Sequence, residues 1–129
     1  MLEHRIEILS GEYEEAIRLK DGVDVIARAP GKVVLQITRA LPGVDSAITA
    51  EGVGGITVSG LAIRATPSAG LPLGVHISDA NVTVTNVEVT GAVKAGVWIE
   101  GSAAGTLAGN YIHGNAGPGV VVSGEPLQS

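Results

Sequence analysis

The chain has 129 residues and a net charge of −5 from 8 basic and 13 acidic side chains, with 19 Gly, one Trp, two Tyr, and neither Cys nor Phe. At 45% apolar it is too hydrophobic for disorder, yet with 2% aromatics its core must be filled by Val, Ile, Leu and Ala. The missing Cys excludes a disulfide scaffold, a thiolate metal site and a Cys nucleophile. Scattered basic residues argue against nucleic acid as a partner, and no apolar run reaches the roughly 20 residues of a membrane helix, so no membrane insertion by this segment is expected.

Residues 1–16 read as an N-terminal cap or a first coil, and MLEHRIEILSGEY has no signal-peptide-like apolar stretch. Residues 17–55 are irregular. Ile17–Leu19 reads as a strand, Asp21-Gly22 as a turn and Val23–Ile26 as the next strand. Glu12–Lys20 reads alternatively as a short amphipathic helix capping the stack. Lys32–Ile37 and Ala47–Ala50 are both candidate third strands, their ladders left open, with Thr38–Ser46 as an excursion between them.

From residue 56 to 124 the chain repeats. ITVSGLAIRAT (56–66), VTVTNVEVTGA (82–92) and GTLAGNYIHGN (105–115) align at offsets of 26 and 23 residues. Between them LGVHIS, AGVWIE and PGVVVS align on Gly74, Gly96 and Gly119, at offsets of 22 and 23. Each repeat therefore holds a short β-branched strand, a single turn residue (Gly60, Asn86 or Gly109), a second strand, a Gly/Ala/Ser/Pro loop and a third strand. Alternation places Val87, Val89, Val97 and Ile99 inward, and Glu88, Thr90, Trp98 and Glu100 outward. Three strands per 22–26 residues predict an all-β, single-stranded right-handed parallel β-helix of about five coils. It lacks the Leu/Asn pattern of a leucine-rich repeat and the roughly 40-residue period of a propeller blade. Residues 125–129 read as a tail. The last strand, Val120–Val122, reads as an open assembly edge through which end coils would form a homo-oligomer. The repeat running to the end of the chain is expected of a piece of a longer protein.

The coil pattern, with Asn86 at the turn between two strands, resembles the right-handed parallel β-helix of pectate-lyase-like proteins, including the carbohydrate-binding and sugar-hydrolase repeat family. SGEYEEAIRLKDGVDVIARAPGKVVL, ITVSGLAIRA, Pro72–Val75, VEVTGA and YIHGNAGPGVVV together resemble the β-helix region found downstream of the kinase domain in some bacterial serine/threonine protein kinases. That resemblance implies a bacterial, non-catalytic accessory or sensor domain, extracytoplasmic if its parent is a receptor kinase. The kinase's own Gly-rich loop, catalytic-loop Asp and Asp-Phe-Gly are absent.

In the pectate-lyase-like enzymes, sites lie on the outer face of one strand ladder. The equivalent column here holds His76, Trp98 and Val121, with Ser78, Glu100 and Ser123 beside it. His76, Ser78, Trp98 and Glu100 are accordingly the candidate ligand-binding residues, Trp98 to stack on a sugar ring and Glu100 to accept its hydroxyl hydrogens. Trp98 packing under a loop or against a partner is the plainer reading. No catalytic set emerges. Glu88 and Glu100 lie on different ladders, Asp79 is in a loop, and Glu125 stands apart, so neither a calcium nest nor the paired carboxyls of a glycosidase assembles. His4, His76 and His113 are too widely spaced for zinc. His113-Gly114 reads as a solvent-exposed loop, and the Gly-rich stretches at 51–55 and 114–119 as turns. Asn110, in the position of Leu61 and Val87, is expected to face inward and bond along the stack or to mark a shift of register. The expected function is non-enzymatic recognition of a glycan or a protein, with no cofactor and no metal. The alternatives are a structural, self-associating β-helix and a truncated polysaccharide lyase or hydrolase.

Overall fold

The structure, a computed structural model, describes residues 5–29, 31–39, 42–101 and 104–124; His4, Glu125 and the 125–129 tail lie outside them. The first coil is β1 (Arg5–Ile8), β2 (Gly11–Tyr13) and β3 (Ile17–Arg18). The second is β4 (Asp24–Ala27), β5 (Val33–Ile37) and β6 (Ser46–Glu51), and the third β7 (Ile56–Ser59), β8 (Leu61–Ala65) and β9 (Leu73–Ser78). The fourth is β10 (Asn81–Thr85), β11 (Glu88–Thr90) and β12 (Ala95–Gly101), and the fifth β13 (Ala104–Ala108), β14 (Tyr111–Ile112) and β15 (Val120–Gly124). Every third strand pairs in parallel, giving three five-stranded sheets ordered β1-β4-β7-β10-β13, β2-β5-β8-β11-β14 and β3-β6-β9-β12-β15. From β1 to β13 the chain thus makes about four full turns of a solenoid, with three strands to each.

The repeat offsets are the strand registers. Ile56 pairs with Val82 and Val82 with Gly105 in the first sheet; Val75 pairs with Val97 and Val97 with Val120 in the third. The irregular stretch also resolves. Lys32–Ile37, expected as a third strand, is instead a second strand, because Val33 pairs with Leu61 and Gly11 with Val33. Ala47–Ala50 is a third strand, Ile48 lying between Ile17 and Val75. The alternative helix at 12–20 does not form. Its apolar side chains meet strand columns, Tyr13 beside Leu35 and Ile17 beside Ile48, where extended backbone finds hydrogen-bond partners on the next coil.

Inward columns explain the composition. Leu35, Ile63 and Val89 stack in the second sheet, Ile48, Val75 and Val97 in the third, and Val25, Val58 and Val84 in the first, all buried. Stacked coils present like residues to like residues, so branched aliphatics of one size fill the lumen. The turn between first and second strands needs a left-handed residue. Asn86 has φ 54°, matching Gly60 and Gly109 at the same point of neighbouring coils.

The Gly74–Gly96–Gly119 ladder answers a different constraint. A Cβ on Gly74 would sit 2.3 Å from Val89 Cγ1 and 2.6 Å from Gly96 O; one on Gly96 would sit 2.6 Å from Ile112 Cγ2 and 2.7 Å from Gly119 O. At Gly74 and Gly96 the third sheet approaches the second so closely that only bare backbone fits, whereas a Cβ on Gly119 would meet Ile112 Cγ2 at an ordinary 3.4 Å.

Candidate functional site

The third sheet's outer face carries two parallel columns. Arg18, Thr49, His76, Trp98 and Val121 form one; Glu51, Ser78, Glu100 and Ser123 form the other. All four candidate ligand-binding residues therefore share one face. Diagonal polar contacts join successive coils across the columns: an ion pair of Arg18 with Glu51, and a hydrogen bond between His76 Nε2 and Glu100 Oε2.

Trp98 and His76 border an open cleft of about 450 Å³, whose remaining lining is Asp45, Pro72, Leu73, Lys94 and Glu100. Trp98 is half-buried, and its ring is not bare: Lys94 Nζ lies 4.7 Å from the ring centroid, a cation–π contact. The Lys94 backbone is held by its N–H donating to Pro72 O at 2.9 Å. Asp45 stands one residue before β6, at the far end of the cleft from Glu100. Ser78 is on the same face but not in the cleft lining.

Lys94 and Asp45 escaped the sequence reading. Lys94 lies four residues before Trp98, about 13 Å away along a regular strand. A bend at Val93–Lys94 folds it back over the ring. Asp45 belongs to the excursion before β6, whose neighbours in space no repeat alignment supplies. Asp45 and Glu100 do not match the carboxyl pair of a glycosidase. They are offset by six strand positions and two coils, roughly 20 Å along the strand and 10 Å across it, against the 5–10 Å that such chemistry uses. Among the described residues, no group of three or more His, Asp or Glu side chains could hold a metal ion.

A second polar cluster lies on the second sheet. Glu88 Oε1 takes a bond from Arg64 at 3.2 Å and Oε2 one from His113 Nε2 at 2.8 Å. The His113 bond, then Arg64, outweighs desolvation and holds the Glu88 carboxyl below its ordinary range. His113 also stacks on Tyr111, centroids 3.7 Å apart and planes 18° from parallel. It is therefore not the free loop side chain expected from the sequence; the short β14 carries it back against Glu88 on the coil before. Asn110 bonds along the stack, Oδ1 accepting from Val87 N at 2.9 Å and Nδ2 donating to Val84 O at 3.0 Å. Asn115, unremarked in the sequence, repeats this beyond β14: Ala92 N donates to its Oδ1, and its Nδ2 donates to Val89 O.

The family model described as "Right handed beta helix region" matches residues 46–127. The chain belongs to that family. Handedness and solenoid architecture follow from the match and the parallel sheets together. Comparison with curated proteins and with solved structures finds no match. The family match covers β6 to β15, so it contains every residue of the Trp98 cleft except Asp45, which directly precedes β6. In a right-handed β-helix such a face is a flat, repetitive platform. The inward columns are committed to packing, and a residue that breaks the outward repeat is unconstrained by the core.

Proposed function

We propose that this β-helix is a non-enzymatic recognition or sensor module of a bacterial signalling protein of the serine/threonine kinase type, and that a glycan or protein ligand contacts it at the Trp98 cleft. The observation that carries this reading is the position of the chain's one Trp. It stands outward, on a lattice whose core is aliphatic, in an open cleft with His76, Lys94 and Glu100 around it. A half-buried Trp with polar neighbours supplies large contact area together with orientation. The kinase context rests on the sequence resemblance and predicts that the reading frame continues into a kinase domain. Trp98 alone dominates the intrinsic fluorescence, so titration with a panel of oligosaccharides and peptides reads the cleft directly. A saturable shift, abolished in a Trp98→Ala variant assayed by calorimetry, is the expected result. A panel without any shift, or equal calorimetric binding by the variant, would remove the cleft from consideration.

Self-association through β15, the last strand among the described residues, is a second reading. Val120 and Val122 continue the inward columns of Val97 and Ile99, yet are 43% and 72% exposed, while Val97 is 1% exposed. A second copy pairing its strands here would cover them. Sedimentation at rising concentration is expected to show dimers or larger species, diminished in Val122→Asp; a monomer throughout would refute it.

A further inference from the structure

We infer that the Trp98 cleft recognises a cation, the lysine or arginine side chain of a basic segment in a partner protein, and that Lys94 occupies its place in the unliganded domain. The inference rests on the reading of this cleft as the ligand face and narrows its ligand class.

Three observations converge. First, the Trp98 ring already holds an ammonium, Lys94 Nζ at 4.7 Å from its centroid. The indole face is the strongest natural aromatic partner for a cation, and here it is used as one rather than left bare as a stacking platform. Second, the lining is acidic at both ends. Glu100 lies two residues from Trp98 on the same strand face, and Asp45 closes the other end, where its carboxylate makes no hydrogen bond or ion pair with the described residues. No ion pair ties Lys94 to either carboxylate, so it is seated by the ring alone. With Lys94 swung out, the Asp45 carboxylate, the Glu100 carboxylate already bonded to His76 Nε2, and one indole remain. That set is complementary to an ammonium or guanidinium and not to an anion. Third, Lys94 is exposed and sits on a bend, anchored through its backbone to Pro72, so its side chain leaves without disturbing the strands. The net charge of −5 draws a basic segment toward the domain. The open shape of the cleft, running across coils from Asp45 to Glu100, suits one or two side chains of an extended peptide.

Lys94 is thus a competitor built into the site. A cation–π contact at an exposed position corresponds to a two- to five-fold factor in an equilibrium constant, approximately. Removing Lys94 is expected to tighten cation binding by about that factor.

The test titrates the full chain, following Trp98 fluorescence, with acetyl-tetralysine amide, the same peptide fully Nε-acetylated, a neutral hexasaccharide and an oligogalacturonate. Wild type is expected to bind tetralysine and not its acetylated form. Lys94→Ala is expected to bind it about two- to five-fold more tightly, while Lys32→Ala, which makes the same change of net charge on a turn elsewhere, leaves affinity unchanged. Asp45→Asn with Glu100→Gln is expected to weaken binding about tenfold, two exposed charge contacts together. Circular dichroism of each variant confirms the fold. Equal affinity of wild type and Lys94→Ala, or an equal gain in Lys32→Ala, overturns the inference. A response to either saccharide without one to tetralysine overturns it while leaving the recognition reading intact. Silence to all four probes overturns the inference, and the wider oligosaccharide and peptide panel then decides the recognition reading.

Discussion

Alanine at position 74 tests the geometry on which the whole stack depends. The new methyl would lie 2.3 Å from Val89 Cγ1 and 2.6 Å from Gly96 O, where carbon contacts settle at about 3.5–4.0 Å. Relief requires more than an ångström of movement, and neither neighbour has room. Val89 is 1% exposed within the lumen, and the Gly96 carbonyl is part of the β12 backbone, held in the ladder with β9 and β15. Overpacking a filled core costs about 1–3 kcal/mol. With one obstruction in the backbone, the upper end applies, about 3 kcal/mol, which for a chain of this size is a fall in Tm on the order of 10 °C. Thermal and urea unfolding followed by circular dichroism measure it. Gly54→Ala is the matched control, because its Cβ meets nothing nearer than 4.0 Å; it should change stability by no more than about 0.5 kcal/mol. In a Val89→Ala background one of the two clashes disappears, so the double variant should lose less than the two single losses added together. A Gly74→Ala protein melting within about 2 °C of wild type would refute the reasoning, and with it the claim that this ladder is bare for steric reasons.

Asn110→Ala leaves Val87 N and Val84 O without their partner and should cost about 1–3 kcal/mol, with faster amide exchange at Val87; unchanged exchange there would show that the side chain is dispensable. Glu88 has its pKa depressed by His113 and Arg64, so its contribution is complete above the ordinary glutamate range and is lost as pH falls through the depressed folded value. Glu88→Gln should flatten the acid limb of stability against pH, and an identical limb in the variant would refute the assignment. Trp98→Ala should cost only about 1 kcal/mol, its partial burial and one cation–π contact being all that is lost; a loss above about 3 kcal/mol would make Trp98 a structural buttress instead.

The inward half of this fold was legible because it is periodic. The offsets joining Ile56, Val82 and Gly105, or Gly74, Gly96 and Gly119, are the hydrogen-bond registers themselves, and alternation then assigns the faces of strands such as β11 and β12. Before residue 56 the repeat is longer, Val25 pairing with Val58 at an offset of 33 residues, so Val33–Ile37 could be seen as a strand but not placed in its sheet. Ladder membership is decided by the angle at a corner, and corner angle has no signature in a single strand's pattern. The reason for the Gly74 column was equally hidden. These glycines do not mark left-handed turns; they mark where two sheets converge, a property of neighbours distant in sequence.

The outward half obeys the opposite logic. Core columns are conservative because each side chain must fit the one above and below it, and a departure costs packing. Outward columns carry no such penalty, so their departures from the repeat, His76 and Trp98 among Thr49 and Val121, are not what stacking demands. Trp98 is therefore visible in the sequence, but what it faces is not. Its partner Lys94 comes from a bend and Asp45 from a loop, the two kinds of segment in which position along the chain does not predict position in space. The chemistry of the cleft changes with them. Trp98, His76 and Glu100 alone leave the indole face open; with Lys94 seated on it and Asp45 at the far end, that face already holds a cation.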